Sequence, residues 1–372
     1  MNNVSAYTMN LEGTNYETGY QMGRIMGEIP QLKSLHTQSV EGFGTDDFKE
    51  AQKLFDQWCP GLTEEIQGFA DALQVNADQI FFYGMTYLLP RCSHMALLPS
   101  ITAEHKPLLA RNYEFHHEAE DFCLVKTKIK GKYAHIGTSV LFFGRDDGIN
   151  EHGLAVTMSS CGFPVGAMPY MREPRIRGLQ FWAVIRALLE NCKDVSDGLQ
   201  YIRNMPIAFN LNLILLDQAG NTALVETVDG RLAFKKLDAD SSQQFLHATN
   251  HPVLPELVPY EPKAFVHSAK RYDYITKTLT GASGITSDQL KNMLLSKYPE
   301  GLCTHYYEEY FGTTKSMILS PSDKSIDICW GGRKENGWER FLVSDDMKET
   351  VREIGLNFEK ADPVIYTYQP IN

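Results

Sequence analysis

The chain has 372 residues and a net charge of −11, with 35 Lys and Arg against 46 Asp and Glu, and its composition is that of an ordinary soluble globular protein. That length suits one large domain or two small ones, and the acidic balance argues against nucleic acid or an anionic membrane as the main partner. Seven cysteines at irregular spacing, with no CxxC pair, predict free thiols, and residues 1–28 carry no basic stretch followed by an apolar one; a cytoplasmic protein without membrane spans is expected.

Residues 1–91 read mostly as helix. Gly19, Gly23 and Gly27 recur every four residues in 16–28 and line one helix face, where another backbone can approach closely. Residues 46–58 and 62–73 are amphipathic, with Phe55, Ile66, Phe69 and Leu73 as core candidates. Asn76 followed by Gln79 resembles a capping box starting a helix that runs to about Leu88, where Pro90 stops it.

From residue 92 strands dominate. Residues 92–114 read as a β-hairpin: an apolar run at 95–98, turn-formers Pro99 and Ser100, a polar stretch at 104–106 and a second apolar run at 107–110. Cys92 begins the first strand and Arg111-Asn112-Tyr113-Glu114 ends the second, so the hairpin returns Arg111 and Glu114 to the neighbourhood of Cys92. A guanidinium beside a thiol favours thiolate, the nucleophilic form. Any one cysteine taken alone is expected to be a buried small hydrophobe.

Residues 122–130 and 133–143 form a second hairpin around Gly131, and 147–154 is a turn entering a strand at 155–159 that ends near Ser160. A helix over 177–192 places Trp182, Ile185, Leu189 and Cys192 on one stripe, and a second helix covers 195–203. Strands follow at 210–216 and 222–228, around the turn 217–220, and the second contains Glu226. Next come Thr249-Asn250-His251-Pro252, a proline-punctuated loop to residue 262, a helix with Ser268 as N-cap, and another helix over 285–297. Strands at 315–319 and 325–330 precede a C-terminal stretch that reads as helical from Asp345 and then extended. His116, His117 and nearby acids could suggest a metal site. On a strand, though, adjacent side chains point to opposite faces, so a charged loop with no metal is expected.

Several of these segments, in this order, resemble the cysteine N-terminal-nucleophile hydrolases, in particular the penicillin acyl-CoA acyltransferase-like and choloylglycine hydrolase-like families. They are Cys92-Ser93 with Arg111-Asn112-x-Glu114, Asn150-Glu151-x-Gly153-Leu154, Thr249-Asn250-x-Pro252 and Ser268-x-x-Arg271; together the resemblance spans about 13–331. It implies an α+β fold, a four-layer αββα sandwich over 92–372, with 1–91 a helical pro-segment packed on it. It also implies self-cleavage before Cys92, attack by Cys92 on a linear acyl amide, Asn250 in the oxyanion hole, Arg111 and Glu114 tuning the nucleophile, Arg271 supporting it, and Glu226, after an Asp-x-x-Gly turn, as a scaffold residue. Ser160 stands where the bile-salt branch has an asparagine, Glu114 where an aspartate is usual, and Arg91 where small residues are common. No cofactor is implied, the partner is a small acyl amide, and a homo-oligomer is left open. Two alternatives stand beside this: a papain-like thiol hydrolase using His251 or His305 as base without processing, and an inactive binding protein that keeps the fold.

Overall fold

The computed structural model describes residues 2–37, 44–84, 91–140, 142, 144–163 and 172–371. It opens on a strand, β1 (Asn2–Gly13), followed by the helices α1 (Asn15–Gly27), α2 (Pro30–His36), α3 (Thr45–Trp58), α4 (Leu62–Leu73) and α5 (Ala77–Gly84). The expected end of α5 at Leu88 and its stop at Pro90 lie outside the described residues. Then come β2 (Arg91–Leu97), β3 (Leu108–Phe115), β4 (Cys123–Ile129), β5 (His135–Val140), β6 (Gly144–Arg145), β7 (Asp147–Asn150) and β8 (Ala155–Ser160). Two helices, α6 (Phe181–Asn191) and α7 (Val195–Ile202), lead into β9 (Leu211–Leu216), β10 (Thr222–Val228), β11 (Arg231–Leu237) and β12 (Phe245–Ala248). After β13 (Lys263–Phe265), α8 (Val266–Leu279) and α9 (Ser287–Leu295), the chain finishes with β14 (His305–Tyr306), β15 (Phe311–Ser320), β16 (Ser325–Trp330), β17 (Glu339–Leu342), β18 (Thr350–Leu356) and β19 (Tyr368–Pro370).

These strands build two large sheets. The larger runs β11-β10-β9-β8-β7-β5-β4-β1-β18, and the smaller runs β12-β2-β3-β15-β16-β17. Three cores show how they stack. Ile214 and Leu216 of β9 meet Ala96, Leu109, Met317 and Ile328 of the smaller sheet in a core between the two sheets. The alternate residues Leu211, Leu213 and Leu215 face the other way, onto Phe55, Phe69, Trp182 and Leu188 of the N-terminal helices and α6. On the far side, Met95, Leu97 and Ala110 pack on Ile275, Leu290 and Leu294 of α8 and α9. β9 is apolar on both faces because it is covered on both. The result is an α+β protein with four layers, helix, sheet, sheet and helix.

Among the elements that differ from the sequence reading, β1, β18 and β11 belong to the larger sheet. The N-terminal region is not helix throughout: β1 lies inside the larger sheet, parallel to β4 on one side and antiparallel to β18 on the other. β18 replaces the helix expected after Asp345; Ile354 and Leu356 are buried at strand spacing while Val351 is exposed, so period two prevails over the helical spacing of 351 and 354. β11 continues the sheet beyond β10; most of its residues are at least partly exposed, and an edge strand of that kind carries little apolar signal. Two of the three glycines on the α1 face, Gly19 and Gly23, do what the spacing suggests. A Cβ at Gly19 would stand 1.8 Å from the Glu65 carbonyl oxygen, and one at Gly68 2.1 Å from that of Tyr16, so α1 and α4 touch backbone to backbone.

Candidate active site

The hairpin forms as its turn residues and alternation require. Cys92 pairs with Tyr113, His94 with Arg111 and Arg91 with Glu114. Side chains alternate along β2, so Cys92, like His94 and Ala96, faces the space between the sheets. Arg111, two residues from Tyr113, shares that face: its Nη2 donates to Cys92 Sγ at 3.2 Å. All seven cysteines are free thiols; among the described residues Cys92 is the one that accepts from a guanidinium.

Arg111 is fully buried and is held from behind. Its Nη1 donates to Asp147 Oδ2 at 2.9 Å and to the Asp146 carbonyl at 2.6 Å. Lys315, on the neighbouring β15, pairs with Asp146 at 2.7 Å and Glu120 at 3.0 Å. Two cations and three carboxylates thus share one buried compartment beneath the thiol. Breaking one pair in such a cluster strands a buried charge, at a cost of about 3–5 kcal/mol. None of Asp146, Asp147 or Lys315 was singled out as a site residue from the sequence, and Glu120 was weighed only among the acids near His116 and His117. The available signal was Lys315 at the head of the strand read at 315–319; in the middle of the observed β15, and buried, it needs an anion to meet it.

Glu114 does not join Arg111 beside the sulfur. Three residues apart on one strand, they face opposite sides of the sheet. The Glu114 carboxylate lies on the α8 side, where Arg271 Nη1 reaches it at 3.3 Å and the Thr313 hydroxyl at 3.4 Å. Burial pushes its carboxyl up to about 8, against the pull of Arg271 and Arg111. Arg271 then bridges to the next residue in the set, its Nη2 donating to Asn250 Oδ1 at 2.7 Å. Asn250 follows β12, where Ala248 pairs with His94; continuing that register brings Asn250 level with Cys92. Its Nδ2 donates to the Ser160 hydroxyl at 3.0 Å and carbonyl at 3.2 Å. The N–H groups expected to face an oxyanion are therefore donated to Ser160 here. Cys92, Arg111, Glu114, Ser160, Asn250 and Arg271 all lie around the end of β2, in two sets: Cys92 with Arg111 between the sheets, and Glu114, Arg271, Asn250 and Ser160 linked in series.

Two further readings change. The thiol is not poised as thiolate: burial dominates over Arg111 and pushes Cys92 up to about 12. Ser268 is not an N-cap, because α8 begins at Val266. Its hydroxyl instead accepts from the Asn250 N–H at 2.8 Å and contacts His251 Nδ1 at 2.8 Å. Glu226 fits its scaffold reading, accepting from the N–H groups of Val253 and Leu254 just after Asn250.

The histidines of the papain-like alternative lie elsewhere. His251 is bound to Ser268, and burial holds it down to about 4; His305 stands 3.8 Å from Cys303. Among the described residues no histidine hydrogen-bonds Cys92; His94, next in line, contacts Thr157 Oγ1 at 2.8 Å and Ser159 Oγ at 3.3 Å. His116 and His117 lie in a loop, as read, but strand alternation does not rule out a shared site for them. They sit past the end of β3, where strand alternation no longer applies, and their rings stack at 4.8 Å. With Glu308 they gather ligand atoms within 4.8 Å of one another, loose for zinc, whose ligands at about 2.1 Å stand roughly 3.4 Å apart.

Two facing sheets between helical layers, with a strand-borne thiol held by a guanidinium at the sheet ends, define a candidate thiol site on an αββα sandwich. Residues 101–335 match the family described as acyl-coenzyme A:6-aminopenicillanic acid acyl-transferase. The match covers well over half of the chain, which belongs to that family. The chain is also 19% identical to an uncharacterized protein of Archaeoglobus fulgidus, over 98% of this chain and 70% of that protein. Among solved structures it is similar to a variant of the conjugated bile acid hydrolase from Clostridium perfringens, with 12% identity, TM-score 0.46, and coverage of 73% of this chain and 99% of that one. It is also similar to penicillin V acylase from Agrobacterium tumefaciens, with 16% identity, TM-score 0.33, and coverage of 66% and 76%.

Proposed function

We propose that this protein is a cysteine amidohydrolase or acyltransferase that opens a linear, non-peptide acyl amide through a thioester on Cys92, after cleaving its own chain between Arg91 and Cys92. The observation that carries this is the 3.2 Å contact from Arg111 to Cys92 Sγ, beside the Arg271–Asn250–Ser160 series. The family's description, an acyl group moved onto an amine, supports the same chemistry.

In the first event Cys92 Sγ adds to the Arg91 carbonyl. The C–N bond breaks, its nitrogen takes the thiol proton, and a thioester joins residue 91 to Sγ. Water then attacks, the C–S bond breaks, and the products are an Arg91 carboxylate, a free thiol and a free α-amino group at Cys92. That amine has a pKa near ~8 in the open chain, so it accepts the thiol's proton at neutral pH. This supplies the base that the buried thiol, pushed up to about 12, lacks in the uncleaved chain. The second event repeats the chemistry on an external amide: the S–C bond forms, the amine leaves with a proton, and water or another amine takes the acyl group. Asn250 Nδ2 meets the oxyanion in exchange for Ser160, and Arg271, bound to Asn250 Oδ1, keeps the amide from flipping. Residues 1–91 act as the pro-segment and 92–372 as the catalytic domain. Seven free thiols suit a reducing cytoplasm.

Intact mass and N-terminal sequencing test this. The expected result is a chain beginning at Cys92 that is absent in Cys92→Ala; acyl amide turnover should fall at least about 10³-fold in that variant. A chain that keeps Arg91 joined to Cys92 while cleaving amides would remove the processing step. Full activity in Cys92→Ala would remove the nucleophile.

A further inference from the structure

Arg91 heads β2 beside the thiol, and its side chain is not left in solvent. Its guanidinium carbon sits 5.1 Å from the Phe265 ring centre and 5.0 Å from that of Tyr366. Behind them Phe265 packs on Tyr368 at 4.2 Å and on His267 at 5.1 Å, and His267 packs on Tyr366 at 5.8 Å. The pairing of β13 with β19 brings Phe265 opposite Tyr368, so the box is assembled from the end of β13, the first turn of α8 and the stretch that leads into β19. Its floor is the chain of residues already described: Phe311 lies against both Tyr366 and His267 and carries the Arg271 guanidinium on its face at 4.8 Å. Among the described residues the Tyr366 hydroxyl and Glu309 Oε2 have no hydrogen-bond partner, and the charges of Arg91 and Glu309 both act on Tyr366. Two aromatic faces against one cation, with unspent polar atoms nearby, form a recognition site for positive charge.

We propose that this box is the acyl-side specificity subsite of the processed enzyme, and that it selects acyl groups bearing a cationic head about one arginine side chain from the carbonyl. The inference rests on the proposed self-cleavage. One sulfur atom attacks both the Arg91 carbonyl and the substrate carbonyl. Whatever hangs from the acyl side of the second therefore occupies the space that the Arg91 side chain holds in the first. Once the Arg91 peptide bond is cut, the guanidinium leaves a box shaped and polarised for its like. A guanidinium or ammonium regains the ring faces there, whereas a neutral polar head of equal size is desolvated without that return.

The test compares three acyl 4-nitroanilides on enzyme shown by intact mass to begin at Cys92: 5-guanidinopentanoyl, the neutral isostere 5-ureidopentanoyl, and hexanoyl. The expected kcat/KM is about tenfold or more higher for the guanidino than for the ureido substrate. Phe265→Leu combined with Tyr366→Leu should bring that ratio toward one, and Tyr366→Phe, which keeps the ring, should preserve it. If the double variant does not fold, the wild-type ratio and Tyr366→Phe still decide. Hexanoyl turnover that needs Cys92, with equal rates for the guanidino and ureido substrates or the ureido ahead, overturns the subsite and leaves the proposed function standing. A chain that never gains a Cys92 terminus keeps its own arginine in the box and overturns the subsite together with the processing step; amide turnover that still needs Cys92 leaves the nucleophile standing.

Discussion

Asn250 is held at both ends of its amide, by Arg271 on the oxygen and Ser160 at the nitrogen. An amide clamped on its acceptor side can turn only its donors to a new partner, which suits a group that must meet an oxyanion as it forms. Asn250→Ala is expected to lower kcat for hexanoyl 4-nitroanilide by about 10²–10³-fold, with KM changing less; an unchanged kcat would take Asn250 out of that role. Glu114 makes a prediction of a different kind. Its carboxyl is pushed up from 4.5 to about 8 by burial, so the folded state binds this proton more tightly than the unfolded state. The resulting stabilisation is complete below about 4.5, is lost progressively as pH rises to about 8, and changes no further above that. Denaturant midpoints of wild type and Glu114→Gln should therefore separate steadily, to the disadvantage of wild type, from pH 5 to 8; a constant difference would place the folded carboxyl in its ordinary range. The opposite facing of Arg111 and Glu114 follows from alternation, since residues three apart on a strand never share a face, yet the sequence reading set both beside Cys92. The depth of the thiol was not legible, because burial depends on the layers above it and not on its neighbours in the chain.

At the scale of elements, the α1–α4 contact shows how a repeat becomes geometry. Gly19 and Gly23 meet the backbone of α4, where a Cβ would approach a carbonyl oxygen to 1.8 and 2.6 Å, whereas one at Gly27 would reach only Leu73 at an ordinary 3.6 Å. Gly19→Ala is expected to cost about 1–3 kcal/mol or more by chemical denaturation. Gly27→Ala, at the helix's last residue, should be within about 0.5 kcal/mol of wild type; equal losses at both sites would mean that close packing is not what the spacing encodes. The hairpin of β2 and β3, the turn at Gly131 and the two central helices α6 and α7 were legible because each carries a period and a turn residue of its own. Ser268 was misassigned for an instructive reason: a serine near a helix start reads as a cap, yet its hydroxyl is spent on the backbone of Asn250 from a distant stretch.

The whole molecule constrains what self-cleavage could release. Because β1 is paired along its length with β4 and β18 inside the larger sheet, and α1 and α4 are packed into the core with α6, a cut before Cys92 would leave the body of the N-terminal piece embedded and free only its cut end at Arg91. Both fragments are expected to co-elute in native size-exclusion chromatography and to separate only in denaturant; a mature C-terminal fragment eluting alone would contradict the role of β1. The order of motifs, the free thiols, the alternation of strands and the family to which they point were all determined by local sequence, since spacing along the chain is enough to specify a turn, a face or a recurring set of side chains. Tertiary structure alone decided the strand at the N-terminus, the edge strand at β18, the charge cluster under Arg111 and the aromatic box around Arg91. Each of these depends on which distant segments share a layer, and an edge strand or a buried lysine acquires its meaning only from the partner that covers it.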